Sequence, residues 1–149
     1  MADRVPPAYR QIANFVYGMA EAIDDGAHDR IEALFGDASF QLADREPRVG
    51  GAAFRRTIER SAIHYDGRPR TLHVVTNLQI DVDEALGVAR SKAYVTVFQA
   101  LPDFPLQPVL TGRYHDEFAG DEVGRWRWVA RRMRVDHIGD TSRHTNTNL

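Results

Sequence analysis

The chain has no cysteine. A disulfide framework, a thiolate metal site and a cysteine nucleophile are therefore excluded, while the compartment stays open on this ground. No run approaches the ~18 consecutive apolar residues of a membrane-spanning helix, so neither a span nor a membrane partner is expected. The first nine residues carry charge and the pair Pro6-Pro7 but no apolar signal core, which makes a cytoplasmic location the expectation. A strong excess of one charge is lacking too. Lys and Arg number 19 against 21 Asp and Glu, a net −2, and this gives no electrostatic case for nucleic acid. Glycine-rich phosphate loops and a G-x-S-x-G elbow are missing. His28, His64, His137 and His144 fall in helix-start, loop or tail contexts without metal-ligand spacing. No metal and no cofactor are expected.

What is present is ordinary for a single globular domain: 149 residues, 43% hydrophobic and 27% charged. A core of that size needs no disulfide or structural metal. Residues 1–149 read as one domain with its core at about 7–138. The tail at 139–149 is polar and lacks apolar periodicity, so it reads as mobile or docked on a partner. Arg125, Arg127, Arg131, Arg132 and Arg134 crowd the last apolar segment, a pattern typical of a solvated strand face.

The order of elements is informative. At about 7–23, Ile12, Phe15, Val16, Met19, Ala20 and Ile23 fall at helical spacing. Pro6 and Pro7 suit the helix start, and Asp24-Asp25-Gly26 stops it. A short second helix follows, with Ile31, Leu34 and Phe35 on one face and Asp29 near its positive end. Residues 38–43 alternate as a strand, and 45–51 read as loop. A third helix is predicted at about 52–64, with Phe54, Ile58 and Ala62 at i, i+4 and i+8. Strands then fill 71–82, 89–101, 109–118 and 125–138, with a proline-rich loop at 102–108. Helices first and strands joined by short turns afterwards imply an α+β fold. The expected form is a cone-shaped, curved antiparallel sheet packed against three N-terminal helices. Such a cone leaves a pocket suited to a small molecule.

Four strings carry a resemblance. The first is 15–35, a tyrosine-containing helix ending in Ile23-Asp24 and followed by HDRIEALF. The others are HVVTNLQID at 73–81, GRYHDEF at 112–118 and GRWRWVARR at 124–132. In this order and spacing they resemble the SnoaL-like, scytalone dehydratase-like branch of the nuclear transport factor 2-like superfamily, over about residues 10–136. The branch includes polyketide cyclases and a hexachlorocyclohexane dehydrochlorinase. The superfamily also holds non-catalytic transport factors and small subunits of ring-hydroxylating dioxygenases. The resemblance implies a cystatin-like cone and a homodimer or homotrimer.

It also implies roles. His73 matches the strand histidine that serves as general base, and Asp24 matches the helix-end aspartate that orients it. The chemistry is sound on its own terms. An imidazole titrates near ~6.5, and a carboxylate on its second nitrogen fixes the tautomer and stabilises the imidazolium. Other readings stand beside these. Asp24 and Asp25 also read as a solvated helix stop, although an aspartate at a helix C-terminus opposes the dipole. Strict strand alternation places His73 with Val75, Asn77, Gln79 and Asp81, the more polar face, unless a bulge re-aims it. Arg131, five residues after Trp126, matches an arginine that assists a departing anion. Its alternative is a structural ion pair with a carboxylate such as Asp24. Met19 stands where the dehydrochlorinase has its catalytic lysine, so dehydrochlorination is not assigned. Tyr17 and Tyr114 are candidate pocket hydroxyls or packed aromatics. Asn77 is a candidate for holding a substrate oxygen, or a turn residue. Trp126 and Trp128 read as possible members of an exposed outer sheet face suited to association.

The leading expectation is a cofactor-independent acid–base enzyme of dehydratase, isomerase or cyclase type. It would act on a small apolar molecule through His73, Asp24 and Arg131, with Tyr17, Met19, Asn77 and Tyr114 lining the site. The alternatives are a non-catalytic small-molecule-binding module and an accessory subunit like the dioxygenase small subunit.

Overall fold

In the computed structural model, which describes residues 5–147, the apolar spacing of the N-terminal part yields three helices: α1 (Ala8–Asp24), α2 (His28–Phe35) and α3 (Gly51–Ser61). α1 buries Ile12, Val16, Met19 and Ile23 along one stripe, as the 3.6-residue period requires. Its end is a Schellman turn. Gly26 N–H donates to the Ile23 carbonyl at 3.1 Å and Ala27 N–H to the Ala22 carbonyl at 2.9 Å, with Gly26 at φ +65°. A Cβ on Gly26 would lie 2.1 Å from the Gly67 carbonyl, so only glycine permits this approach. The last turn of α1, with Asp24 in it, is thereby pinned against the turn that feeds the third strand.

The helices pack on one six-stranded sheet made of β1 (Ser39–Leu42), β2 (Arg48–Val49), β3 (Thr71–Asp83), β4 (Val88–Leu101), β5 (Phe104–Gly120) and β6 (Trp126–Ile138). Its order is β2-β1-β6-β5-β4-β3, curved and not closed. Two buried clusters fill the concave side. The larger joins the three helices to the sheet through Phe15, Phe35, Phe54, Phe118 and Trp128, whose rings pack in pairs at centroid distances of 4.6 to 6.1 Å. Each such ring contributes roughly 1.5–3 kcal/mol through burial. The smaller cluster, Val95, Val97, Phe104, Val109, Leu110 and Tyr114, lies toward the other end.

Several expectations are corrected. The sheet is not wholly antiparallel, because β1 pairs in parallel with β6. Residues 104–108 are strand rather than loop. They pair with β4 and, lying before the first β6 partner at Leu110, form an edge, the place in a sheet where proline is tolerated. Trp126 and Trp128 are buried, since β6 turns them toward the helices, so they offer no outer association face. The short strand β2 interrupts the loop at 45–51. Helix α3 ends at Ser61, short of His64. The described part of the C-terminal tail is docked on the protein's own α3 end. Ile63 N–H donates to the His144 carbonyl, and Asn146 N–H to the Ser61 carbonyl, each at 2.9 Å. No helix among the described residues is long and apolar enough to cross a membrane.

One irregularity controls which side chains face inward. The β3–β4 register slips between Thr76 and Gln79, and Asn77 takes φ +55°. The extra residue reverses the alternation, so His73 and Val75 share the inner face with Leu78, Ile80 and Val82. Asn77 itself is exposed at the bulge. Asparagine tolerates the left-handed region and β-branched residues do not. Asn77→Val is expected to destabilise the fold by about 1–2 kcal/mol, with Asn77→Gly near neutral. Thermal or urea unfolding of the two variants checks this.

Candidate active site

The site is built by two elements whose local structure has just been fixed. The Schellman turn holds Asp24 in the final turn of α1, and β3 begins opposite it. The Asp24 carboxylate accepts three hydrogen bonds from β3. Thr71 Oγ1 donates to Oδ1 at 2.8 Å, the His73 backbone N–H donates to Oδ2 at 2.8 Å, and His73 Nδ1 lies 2.5 Å from Oδ1. A carboxylate among such donors only accepts, so Nδ1 carries a proton, and in the neutral ring Nε2 holds the free lone pair. The pair is largely enclosed, with side-chain exposures of 13% for Asp24 and 9% for His73. Aspartate at the helix C-terminus, unfavourable for the dipole, is held there by these three donors rather than by water.

The pair borders a cleft of about 330 Å³ between α1 and β3, lined also by Tyr17, Ala20, Glu21, Asp25, Leu72 and Val75. That volume suits a small ligand. Glu21 and Asp25 at its rim pair with Arg30 at 2.7 Å and Arg68 at 3.4 Å. A larger groove of about 1210 Å³ crosses the charged face of the sheet, and of the candidate residues only Arg131 borders it.

The structure does not bring Arg131 to the dyad's cleft. Its guanidinium is buried and held at two points by Asp116, Nε to Oδ1 and Nη2 to Oδ2, both at 2.8 Å. Its carbon centre lies 3.8 Å from the Tyr114 ring centroid and 4.5 Å from that of Trp128. Burial alone would lower the Arg131 pKa, but Asp116 outweighs it and the group sits above its ordinary value. The carboxylate partner is thus Asp116 on β5, not Asp24. Tyr114 is also buried, and its pKa is raised by burial, with Arg131 opposing and Asp116 and Asp24 adding to the rise.

Of the remaining candidates, Tyr17 is half exposed at the cleft wall. Met19 is fully buried in the main core, because its turn of α1 faces the sheet rather than the cleft. Asn77 lies at the bulge, outside the cleft lining. Sequence reading passed over Thr71, whose hydroxyl secures Asp24, and His144. Burial pushes the His144 pKa down to about 4, with His73 adding to the fall and Asp24 opposing it. The signal for Thr71 was available two residues before His73. His144 sits in a polar tail that no periodicity places. Among the described residues no group of three or more His, Cys, Asp or Glu is arranged to hold a metal ion.

Two outcomes follow. Removing one partner of the buried Arg131–Asp116 pair strands a charge, so Asp116→Ala is expected to cost about 3–5 kcal/mol in chemical denaturation. His144 is bound to fewer protons in the folded chain than in the unfolded chain between its ordinary 6.5 and its folded value of about 4. Stability is therefore expected to fall as pH drops through that window and to keep this contribution above it. Denaturant melts of wild type and His144→Phe across the window check this, the variant showing the smaller decline.

The comparisons with known proteins agree with this architecture. The family model described as a SnoaL-like domain matches residues 6–132. None of the curated proteins compared matches in sequence. Among solved structures, an NTF2-like protein with a cystatin-like fold from Novosphingobium aromaticivorans superposes with a TM-score of 0.72 at 16% identity, covering 91% of this chain and 86% of that one. A protein from the same organism, provisionally named a scytalone dehydratase, gives 0.68 at 22% identity, with 89% and 86% covered. A Catenulispora acidiphila protein in complex with S-DNPA gives 0.66 at 20% identity, with 86% and 92% covered. At these identities the structural likeness speaks for the fold, and the family match over most of the chain identifies the protein as a member of the SnoaL-like domain family.

Proposed function

We propose that the chain is a cofactor-independent acid–base enzyme of the dehydratase, isomerase or cyclase kind, acting on a small, mostly apolar molecule. The observation that carries this reading is the 2.5 Å contact between His73 Nδ1 and Asp24 at the edge of a cleft. Ala20, Leu72 and Val75 give the cleft apolar walls, and Tyr17, Glu21 and Asp25 add polar lining beside the dyad. His73 Nε2 is the base. It takes a proton from a carbon beside a carbonyl or similar group, and Asp24 stabilises the imidazolium as it forms. The same imidazolium then returns the proton to a leaving hydroxyl, or to another carbon of the substrate. Elimination follows in the first case and isomerisation in the second. Asp24 does not itself move a proton. Arg131, engaged by Asp116, is assigned to holding the interior together rather than to meeting the departing group. A similarly folded neighbour seen in complex with S-DNPA adds support for ligand binding.

The test is proton exchange. In D2O, with a panel of small cyclic ketones and β-hydroxyketones, the protein is expected to wash deuterium into the position next to the carbonyl or to release water, read by NMR. His73→Gln is expected to slow this roughly 10²–10⁴-fold. Asp24→Asn, which reverses the acceptor that fixes the tautomer, is expected to slow it by a comparable factor. Binding of panel compounds with equal exchange in wild type and His73→Gln would replace this reading with that of a carrier or sensor.

A further inference from the structure

The C-terminal tail is tied down at points that the acid–base reading does not use. The Arg143 carbonyl accepts from Tyr65 Oη and from Gln99 Nε2, each at 2.9 Å. Gln99, fully buried on β4, also donates to the Pro69 carbonyl at 3.0 Å, and it stands across from Thr71 in the β3–β4 register. The His144 carbonyl accepts from Ile63 N–H at 2.9 Å, and Thr145 Oγ1 donates to the Ser61 carbonyl at 2.9 Å. Thr145 and Ala62 form an isolated antiparallel bridge. Arg143 closes the segment outward by pairing with Asp103 in the β4–β5 turn. With the backbone of 143–145 engaged, the His144 side chain is half-buried. Its Nδ1 is shut from solvent and has no hydrogen-bond partner. The charges of both Asp24 and His73 reach it.

We propose that residues 141–147, outside the cleft lining, shield the Asp24–His73 pair, and that His144 is a positioning residue which keeps water and a second positive charge away from that pair. The proposal rests on the dyad reading above. A dry neighbour strengthens the Nδ1–carboxylate bond, because the local dielectric falls. A neutral ring also leaves room for the His73 imidazolium, since two cations in one dry volume oppose each other. The groups that face or adjoin His144 are Asp24 on α1, His73 on β3, His64 and Tyr65 after α3, and Arg143 beside it in the chain. Arg143 spends its charge on Asp103, and burial, the largest influence, keeps His144 itself uncharged until about pH 4.

The experiment reads the pair directly in the full-length protein and needs no substrate. NMR follows solvent exchange of the His73 Nδ1 proton and the titration of the His73 ring. The variants are His144→Ala, His144→Phe, His144→Arg and Gln99→Leu, with Asp24→Asn as the control for the dyad. The expected result is exchange at least about tenfold faster in His144→Ala and Gln99→Leu, which admit water, and near wild type in His144→Phe, which keeps the volume. His144→Arg, a fixed cation, is expected to lower the His73 midpoint by about one pH unit or more. The His144→Phe rescue and the His144→Arg shift are effects that mere docking of the tail would not produce. Unchanged exchange and midpoint across the His144 variants, with the signal still sensitive to Asp24→Asn, would overturn the tail proposal alone. A His73 signal indifferent to Asp24→Asn would overturn the dyad and the tail proposal together.

Discussion

One carboxylate ties the first helix to the edge of the sheet. Asp24 takes a hydroxyl, a backbone amide and an imidazole from a three-residue stretch of β3, a polar contact at the end of a helix whose buried stripe is apolar. An unpaired acid at this depth would be costly. Three donors turn that liability into a fixed register between helix and strand. For the proposed acid–base function the arrangement matters too, since a proton on Nδ1 leaves Nε2 of the neutral ring basic. Under that proposal, stability and proton transfer draw on the same contacts. A change that loosens β3 against α1 disturbs both.

The architecture was legible because it follows from periodicity. Helical spacing in 8–24 and alternation in 88–101 are strong signals, and both appear with ends within a residue or two of the reading. The errors cluster where a local rule meets its neighbours. Prolines at 105 and 108 look like a loop until the sheet places them on an edge with a single partner strand. The tryptophans of β6 look like members of an arginine-rich outer face, but alternation sends Trp126 and Trp128 inward and Arg125 and Arg127 outward.

The site was legible in part, and the reason is again physical. Asp24 and His73 were found through the strings around them, whereas strict alternation argued against His73. The bulge at Asn77 resolves that conflict, because one inserted residue swaps the faces of β3 along its length. Arg131 was read as having either an anion or a carboxylate for company. The carboxylate is Asp116, two residues from Tyr114 on the same strand face, a pairing between strands that no spacing within one strand reveals. His144 lay beyond reach for a similar reason. A polar tail has no pattern of its own, and its place is set by amides and carbonyls of α3 and by the single buried amide of Gln99.

The close approach of Gly26 to Gly67 acts as a mechanical stop. Backbone meets backbone there, so α1 cannot creep along its axis toward β3, whatever side chain follows Ile23. The spacing between the helix end and the strand is therefore held by this backbone contact as well as by the hydrogen bonds of Asp24. A relative of this chain could exchange the residue at that position for another polar group and keep the same distance to the strand. One rigid frame would then serve different reactions with little structural adjustment.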